Sequence, residues 1–161
     1  MIETLNTIAT FIKEAESKEG KKWKIMIIEA GKSLNDTIYN RDVLVNAVPF
    51  FENVKVYAYK FEGNFFDHLT QSQEIPEGYV GNLIGVIHNP RYEETFINGE
   101  IKEGIVGDLN IFSQEYRELF KNIWEEGELG ALGFSVVIEA ETEKAKDGIK
   151  IKKIHRVESV D

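Results

Sequence analysis

The order of its apolar segments is the feature that most restricts how this chain can fold. Strand-like runs follow one another between turn signals, and they do not alternate regularly with helices as a parallel β/α sheet would require. With about six strands and three helices, the chain is expected to be an α+β protein built on an antiparallel sheet or barrel. A second full domain is excluded, because 161 residues make one domain of ordinary size.

The first segment is interpreted as an amphipathic helix. Four apolar residues recur at helical spacing between Leu5 and Ala15, and Gly20 follows as a stop signal. The sequence therefore predicts two parts, an N-terminal helix with its linker over residues 1–22 and a main domain over residues 23–161.

The other elements follow from apolar periodicity and from turn residues. Residues 62–78 form a turn-rich connection that is unusually long for a compact domain, which favours a functional loop. The segments interpreted as strands are 23–30, 54–61, 81–87, 100–111, 131–140 and 149–160. The turn signal Asn98-Gly99 fits a hairpin between 95–97 and 101–109. Besides the first helix, helices are expected over 41–48 and between the N-cap Ser113 and Gly127.

Composition excludes several classes of function. With 19 Lys and Arg against 28 Asp and Glu, the net charge of −9 would repel a phosphate backbone, so nucleic-acid binding is not expected. The absence of cysteine removes disulfides, thiolate nucleophiles and cysteine-ligated metals. No apolar run approaches the roughly 20 residues of a membrane helix, and the N-terminus lacks the pattern of a secretory signal, so a cytoplasmic location without membrane contact is expected.

Few residues are available for catalysis. The chain has three histidines, His68, His88 and His155, and His68 lies in the long connection, where a solvent-reachable base is expected. Ser135 lies on a predicted strand beside Gly133, with no Gly-x-Ser-x-Gly elbow around it, which excludes an α/β-hydrolase. Considered singly, each of these residues is more often an ordinary surface or hydrogen-bonded side chain than a catalytic group.

Taken together, however, several blocks occur in an order that resembles the serine proteases that mature tailed-phage proheads, which are related in fold to the herpesvirus assembly proteases. The resemblance runs from about residue 26 to Asp161, most of the chain. Its blocks are Ile28–Asn35, Tyr39–Leu44, Ala47–Phe51, Asp67-His68, Val80–Ile87, Leu132–Ser135 and Val157–Asp161.

The resemblance implies a catalytic triad. It makes Ser135 the nucleophile and His68 the general base. The family places an acid near its closing motif, which favours Asp161 as the third member, with Glu158 as an alternative. The herpesvirus relatives use a second histidine instead, which keeps His155 open. On an unbroken strand Asp161 would share a face with His155, whereas Glu158 would face the other way.

The implied protein is a serine endopeptidase on a partly closed antiparallel β-barrel with flanking helices, similar to the herpesvirus assembly proteases. By resemblance it would cleave scaffold protein, an N-terminal segment of the major capsid protein and itself, in the host cytoplasm inside the assembling prohead. No metal or organic cofactor is implied, and self-association is left open. The alternative is a non-catalytic phage structural or scaffold-binding protein on the same barrel, which the acidic charge and the predicted first helix would suit.

Overall fold

The computed structural model describes residues 2–14, 21–33, 36–57, 60–61, 64–65, 83–97, 99–126 and 133–160. Its helices are α1 (Arg41–Ala47), a 3-10 helix (Val48–Phe51) and α2 (Gln114–Glu125). Its strands are β1 (Ile2–Glu14), β2 (Lys22–Glu29), β3 (Gly31–Lys32), β4 (Thr37–Tyr39), β5 (Lys55–Tyr57), β6 (Lys60–Phe61), β7 (Asn64–Phe65), β8 (Leu83–Ile97), β9 (Glu100–Ile111), β10 (Gly133–Ala145) and β11 (Gly148–Val160). Within these ranges no helix is long and apolar enough to cross a membrane.

Most of the strands form one curled sheet. Their order is β10-β1-β2-β9-β8-β5-β11-β4-β3, and β10 also pairs with β11, which bends the sheet into a ring. In the described part of the chain, β5 and β11 are joined by the single pair of Val56 with Val160, so the ring is barely closed at this seam. The α+β class and the partial closure agree with the sequence prediction. The pairing is not purely antiparallel, because β11 runs parallel to both β4 and β5.

The core fills the inside of this ring. Trp23, Ile105 and Ile138 are among the side chains without any exposed surface. Both α-helices contribute buried residues, α1 through Leu44 and Ala47 and α2 through Tyr116 and Phe120. Helix α1 packs against β11, and the 3-10 helix packs against β8 and β11, so both helices lie beside the seam.

The predicted N-terminal helix is wrong, because residues 2–14 form a strand. Strand β1 lies between β10 and β2 and is antiparallel to both, with Ile8 opposite Ser135 and Thr10 opposite Met26. Ala9 is completely buried. The first part of β1, up to Thr10, pairs with β10, and the last part, from Thr10, pairs with β2. These strand pairings outweigh a helical spacing of apolar residues. One sheet therefore contains residues from both sides of the predicted boundary at 22–23.

Several other expectations need adjustment. The helices after Asn40 and Ser113 are confirmed, although neither side chain makes a capping hydrogen bond. The predicted strand 54–61 divides, since β5 ends at Tyr57 and β6 pairs with β7 in a separate small sheet. Segments 81–87 and 95–97 belong to one long strand, β8, whose register shifts between His88 and Arg91.

A polar network lies on the outer side of β2, β8 and β9. Lys24 and Arg91 both contact the Glu93 carboxylate, and Arg91 Nη1 also lies 3.2 Å from Asp108 Oδ1. Burial would raise the pKa of Glu93, but the hydrogen bonds from Lys24 and Arg91 outweigh that effect and hold the pKa below its usual value. The network occupies the same face as Val106, which is fully buried outside the main core cluster.

Candidate functional site

The backbone of Ser135 is held near the start of β10, next to β1. Ser135 follows the first two residues of β10 and pairs with Ile8 of β1. Its neighbour Val136 is fully buried and pairs with Val160 of β11. Strands thus flank β10 on both sides from Val136 to Glu141. The candidate nucleophile lies one residue before this stretch and is paired with β1.

Strand β11 is not regular. Its register against β10 shifts three times, and each shift leaves one extra residue on β11, namely Lys152, His155 and Glu158. The residues of β11 that pair with the core-facing positions of β10 are therefore three apart, at Ile151, Ile154 and Val157. The sequence shows this period in its apolar residues, whereas regular strand alternation predicts a period of two.

The repeated bulges remove the condition on which the expected division of faces depends. His155 and Glu158 each occupy the extra position of a bulge. The division assumes an unbroken strand, and each extra residue resets the alternation, so counting by twos does not assign these residues to faces of β11.

Opposite charges face each other along β10 and β11. Arg156 donates a hydrogen bond to Glu139 at 3.1 Å. His155 Nε2 lies 3.7 Å from Glu141 Oε2, and Lys152 Nζ lies 3.9 Å from Glu141 Oε1. The His155 Nε2 atom is buried and makes no hydrogen bond to any residue that the structure describes. His155 is therefore placed against an acid of the neighbouring strand, away from the start of β10.

His88 lies elsewhere on the barrel. It is a half-exposed residue of β8, its Nδ1 is 3.3 Å from Glu52 Oε1, and the Asn89 amide donates to the other oxygen of that carboxylate. In the ring, β5 and β11 separate β8 from β10 by the shorter route. His88 therefore has no contact with the strand that carries Ser135.

The structure describes the remaining predicted site residues only in part. His68 and Asp161 lie outside the described residues. For Ser135 and Glu158 the structure gives the strand position, as stated above. Within the described ranges, no three histidine, aspartate or glutamate side chains are grouped as metal ligands.

The fold of this chain is similar to that of a known protein. No family model matches the chain, and no curated protein matches it. Among solved structures, the bacteriophage T4 capsid assembly protease, gp21, is similar with a TM-score of 0.51 and 11% sequence identity. The similarity covers 100% of this chain and 94% of the other. The chain therefore has the fold of a phage capsid assembly protease.

Proposed function

We propose that this chain is a serine endopeptidase of phage prohead maturation, with Ser135 as nucleophile, His68 as general base and Asp161 as the orienting acid. The observation that carries the proposal is the similarity of fold to a capsid assembly protease over the whole chain. The ordered sequence blocks around His68 and Ser135 give the same family independently of the fold.

The position of Ser135 suits a nucleophile. A catalytic hydroxyl must be held where its approach to the substrate carbonyl does not vary, and sites on strands are held more firmly than sites on loops. Ser135 pairs with Ile8 on one side, and the next residue, Val136, is buried and paired on both sides. The end of a strand ladder combines this rigidity with access for a substrate.

The register of β10 and β11 favours an acid near the end of β11 as the third member. Val160, which precedes Asp161 in the chain, is level with Val136, the residue next to Ser135. Glu158 lies level with the step from Val137 to Ile138, two to three residues beyond Ser135 on β10. His155 lies level with the step from Glu139 to Ala140, four to five residues beyond Ser135. At about 3.4 Å per residue these offsets are roughly 7–10 Å and 14–17 Å along the strand.

His155 is less suitable on a second ground. A relation to the herpesvirus assembly proteases would favour a second histidine as the third member, and His155 is the candidate for that role. Its Nε2 atom is already placed beside Glu141, and Lys152 approaches the same carboxylate. We therefore keep Asp161 as the third member, with Glu158 as the alternative.

In the proposed reaction, neutral His68 takes the hydroxyl proton of Ser135 while the serine oxygen attacks the scissile carbonyl. The Asp161 carboxylate orients the imidazole and stabilises its protonated form. His68 then gives the proton to the leaving amine as the peptide C–N bond breaks. A water molecule, activated by the same imidazole, hydrolyses the acyl-enzyme and restores Ser135.

The proposed substrates are scaffold protein, an N-terminal segment of the major capsid protein and the chain itself. These follow from the proposed family membership, because a capsid assembly protease acts while the shell is still being built. The proposed place of action is accordingly the cytoplasm of the infected host, inside the assembling prohead.

The first test uses a fluorophosphonate probe, which reacts covalently with activated serine hydroxyls. Wild-type protein should be labelled at Ser135, and Ser135→Ala should not be labelled. Ser159→Ala is the matched control, because Ser159 lies on the adjacent strand opposite Val137 and loses the same group. Self-cleavage of the concentrated protein, followed by mass spectrometry, should fall by about 10⁴-fold or more in Ser135→Ala.

Two results would contradict the proposal. Self-cleavage that persists in purified Ser135→Ala protein would exclude Ser135 as the nucleophile. Folded wild-type protein that neither reacts with the probe nor cleaves scaffold protein under assembly conditions would favour the non-catalytic alternative.

A further inference from the structure

Strands β8 and β9 extend beyond the rest of the barrel. Strand β2 pairs with β9 only from Asn110 to Gly104, and Ala30 adds one hydrogen bond to the Glu103 carbonyl. Farther out, among the residues that the structure describes, β8 and β9 pair only with each other. We call this two-stranded projection, residues 94–97 and 99–103, the arm. Gly99, with φ of +81°, takes the left-handed conformation that a two-residue hairpin turn requires.

One face of the arm is the continuation of the strand face that lines the barrel core, but on the arm this face is exposed to solvent. Tyr92 is opposite Ile105, Glu94 is opposite Glu103, and Phe96 is opposite Ile101; these pairs follow one another on the same face. Ile105 is fully buried, whereas Phe96 is 66% exposed and Ile101 is 65% exposed. Single exposed apolar residues are common, but a directly paired aromatic and aliphatic residue on a projecting arm is a contact surface without a partner in the described structure.

The charge on this face is negative. Two carboxylates directly opposite each other repel, so Glu94 and Glu103 destabilise the arm unless cations or donors approach them. The charge of Glu103 is partly offset by groups of the same chain. The Tyr92 hydroxyl donates to its carboxylate at 2.9 Å, and Arg41 Nη2 lies 3.9 Å away. Burial, with the hydrogen bond to Glu103, raises the pKa of Tyr92 to about 12, so its hydroxyl remains a donor.

The charge of Glu94 is not offset by any residue that the structure describes. Glu94 is exposed, and no described residue forms a hydrogen bond or an ion pair with it. The face of the arm therefore presents an apolar pair next to a carboxylate whose charge no described side chain balances. A binding partner that buries Phe96 and Ile101 would have to supply a cation for Glu94, since a carboxylate buried without a partner is costly.

We propose that the arm binds a polypeptide segment that presents an aliphatic or aromatic side chain next to lysine or arginine. A second copy of the chain is a poor occupant, because two arms packed face to face would place Glu94 and Glu103 against the same residues of the other copy. The net charge of −9 opposes that approach as well. A basic, apolar segment satisfies both the exposed pair and the carboxylate.

The proposal is tested with three fluorescein-labelled peptides of equal length that alternate lysine with leucine, lysine with serine, or glutamate with leucine. Fluorescence anisotropy is measured on full-length Ser135→Ala protein, so that binding is read without cleavage and independently of the proposed protease function. The Lys/Leu peptide should bind at least about tenfold more tightly than the Lys/Ser peptide, and the Glu/Leu peptide should bind weakest.

Variants locate the binding on the arm. The double variant Phe96→Ser with Ile101→Ser should weaken binding of the Lys/Leu peptide by about tenfold or more. Glu94→Gln should weaken it by about threefold and reduce its dependence on salt. Phe50→Ser and Glu125→Gln remove an exposed aromatic residue and an exposed carboxylate elsewhere, and they should leave binding unchanged. Thermal melts check that every variant is folded.

Two outcomes would overturn the proposal. Equal binding of the Lys/Leu peptide to wild type and to the arm double variant would show that the peptide binds to the acidic surface in general and not to the arm. Sedimentation that shows a dimer in the wild type and a monomer in the arm double variant would make a second copy the occupant.

Discussion

At the scale of single residues, His155 shows how the neighbouring strand decides what a titratable group can do. Its position in the closing segment made it a candidate for the triad, but the bulge that contains it places its ring beside Glu141. His155 therefore contributes to the contact between β10 and β11. In the proposed mechanism, the third member of the triad is instead expected near the start of β10.

We expect the three candidates for the third triad member to differ sharply. Asp161→Asn should lower the rate on a single peptide substrate by about 10⁴-fold, because an amide cannot stabilise the imidazolium. Glu158→Gln should lower it only slightly, and His155→Ala should leave the rate nearly unchanged while lowering the melting temperature. Normal activity in Asp161→Asn together with an inactive Glu158→Gln would transfer the role to Glu158.

Glu93 carries a prediction about acid stability. Because Lys24 and Arg91 hold the pKa of Glu93 below its ordinary value of 4.5, the ionised carboxylate stabilises the fold above about pH 4.5. This stabilisation is lost as the pH falls through the lowered folded-state pKa. Urea unfolding should show Glu93→Gln about 1 kcal/mol less stable than wild type at pH 7, with the difference shrinking below pH 4.

Glu94→Gln is the control, because Glu94 lacks those two donors and its replacement should not reproduce the pH dependence. A difference between wild type and Glu93→Gln that stays constant from pH 7 to pH 3 would contradict the assignment of the shift to Lys24 and Arg91.

At the scale of elements, β1 shows where the sequence was informative and where it misled. The spacing of Leu5, Ile8 and Ile12 fits a helix, whereas the β-branched residues that fill the same segment favour a strand. The partners that decide the outcome, β2 and β10, cannot be seen in a local window. Helices α1 and α2 were predictable because their turn residues and apolar faces lie within their own segments.

The same reasoning applies to the candidate site. The sequence blocks named Ser135 and His68, and the strand that carries Ser135 was predictable from alternation. The bulges of β11 were not anticipated, although the spacing of Ile151, Ile154 and Val157 is a visible signal for a strand with an extra residue in each repeat. The register determines which acid of β10 each basic residue of β11 contacts. These contacts could therefore not be predicted from the sequence of one strand alone.

Strand β1 should be indispensable, contrary to what a detachable helix would imply. Deleting residues 2–14 would leave the facing edges of β2 and β10 unpaired, so the product should be unfolded or insoluble. The milder variant Ala9→Asp should lose about 3 kcal/mol or more of unfolding free energy, because it buries a charge. Ile2→Asp, at an exposed position of the same strand, should change it by less than about 0.5 kcal/mol. A soluble, cooperatively melting deletion protein would contradict this role.

At the scale of the whole molecule, the seam between β5 and β11 is the weakest part of the ring. Val56 with Val160 is the one register pair found there in the described chain, whereas β2 and β9 are paired from Lys22 to Glu29. Local opening requires fewer broken contacts at the seam than across β2 and β9.

Native-state hydrogen exchange should therefore show the Val56 amide exchanging at least about tenfold faster than the amides of Ile25 and Val106. Both reference residues are fully buried, as Val56 is, so a difference would reflect pairing and not solvent access. Equal protection at the three positions would show that α1 and the 3-10 helix hold the seam as firmly as a ladder of strand pairs.

The arrangement of β1 and β11 around β10 also determines how the molecule responds to tension. Both strands are antiparallel to β10, so they run parallel to each other on its two sides, with Ile2 level with Glu141 and Val160 level with Val136. A force that separates Ile2 from Val160 therefore acts along the strands and shears two ladders at once, instead of opening one hydrogen bond after another. Strand β10, which carries Ser135, transmits that load between them.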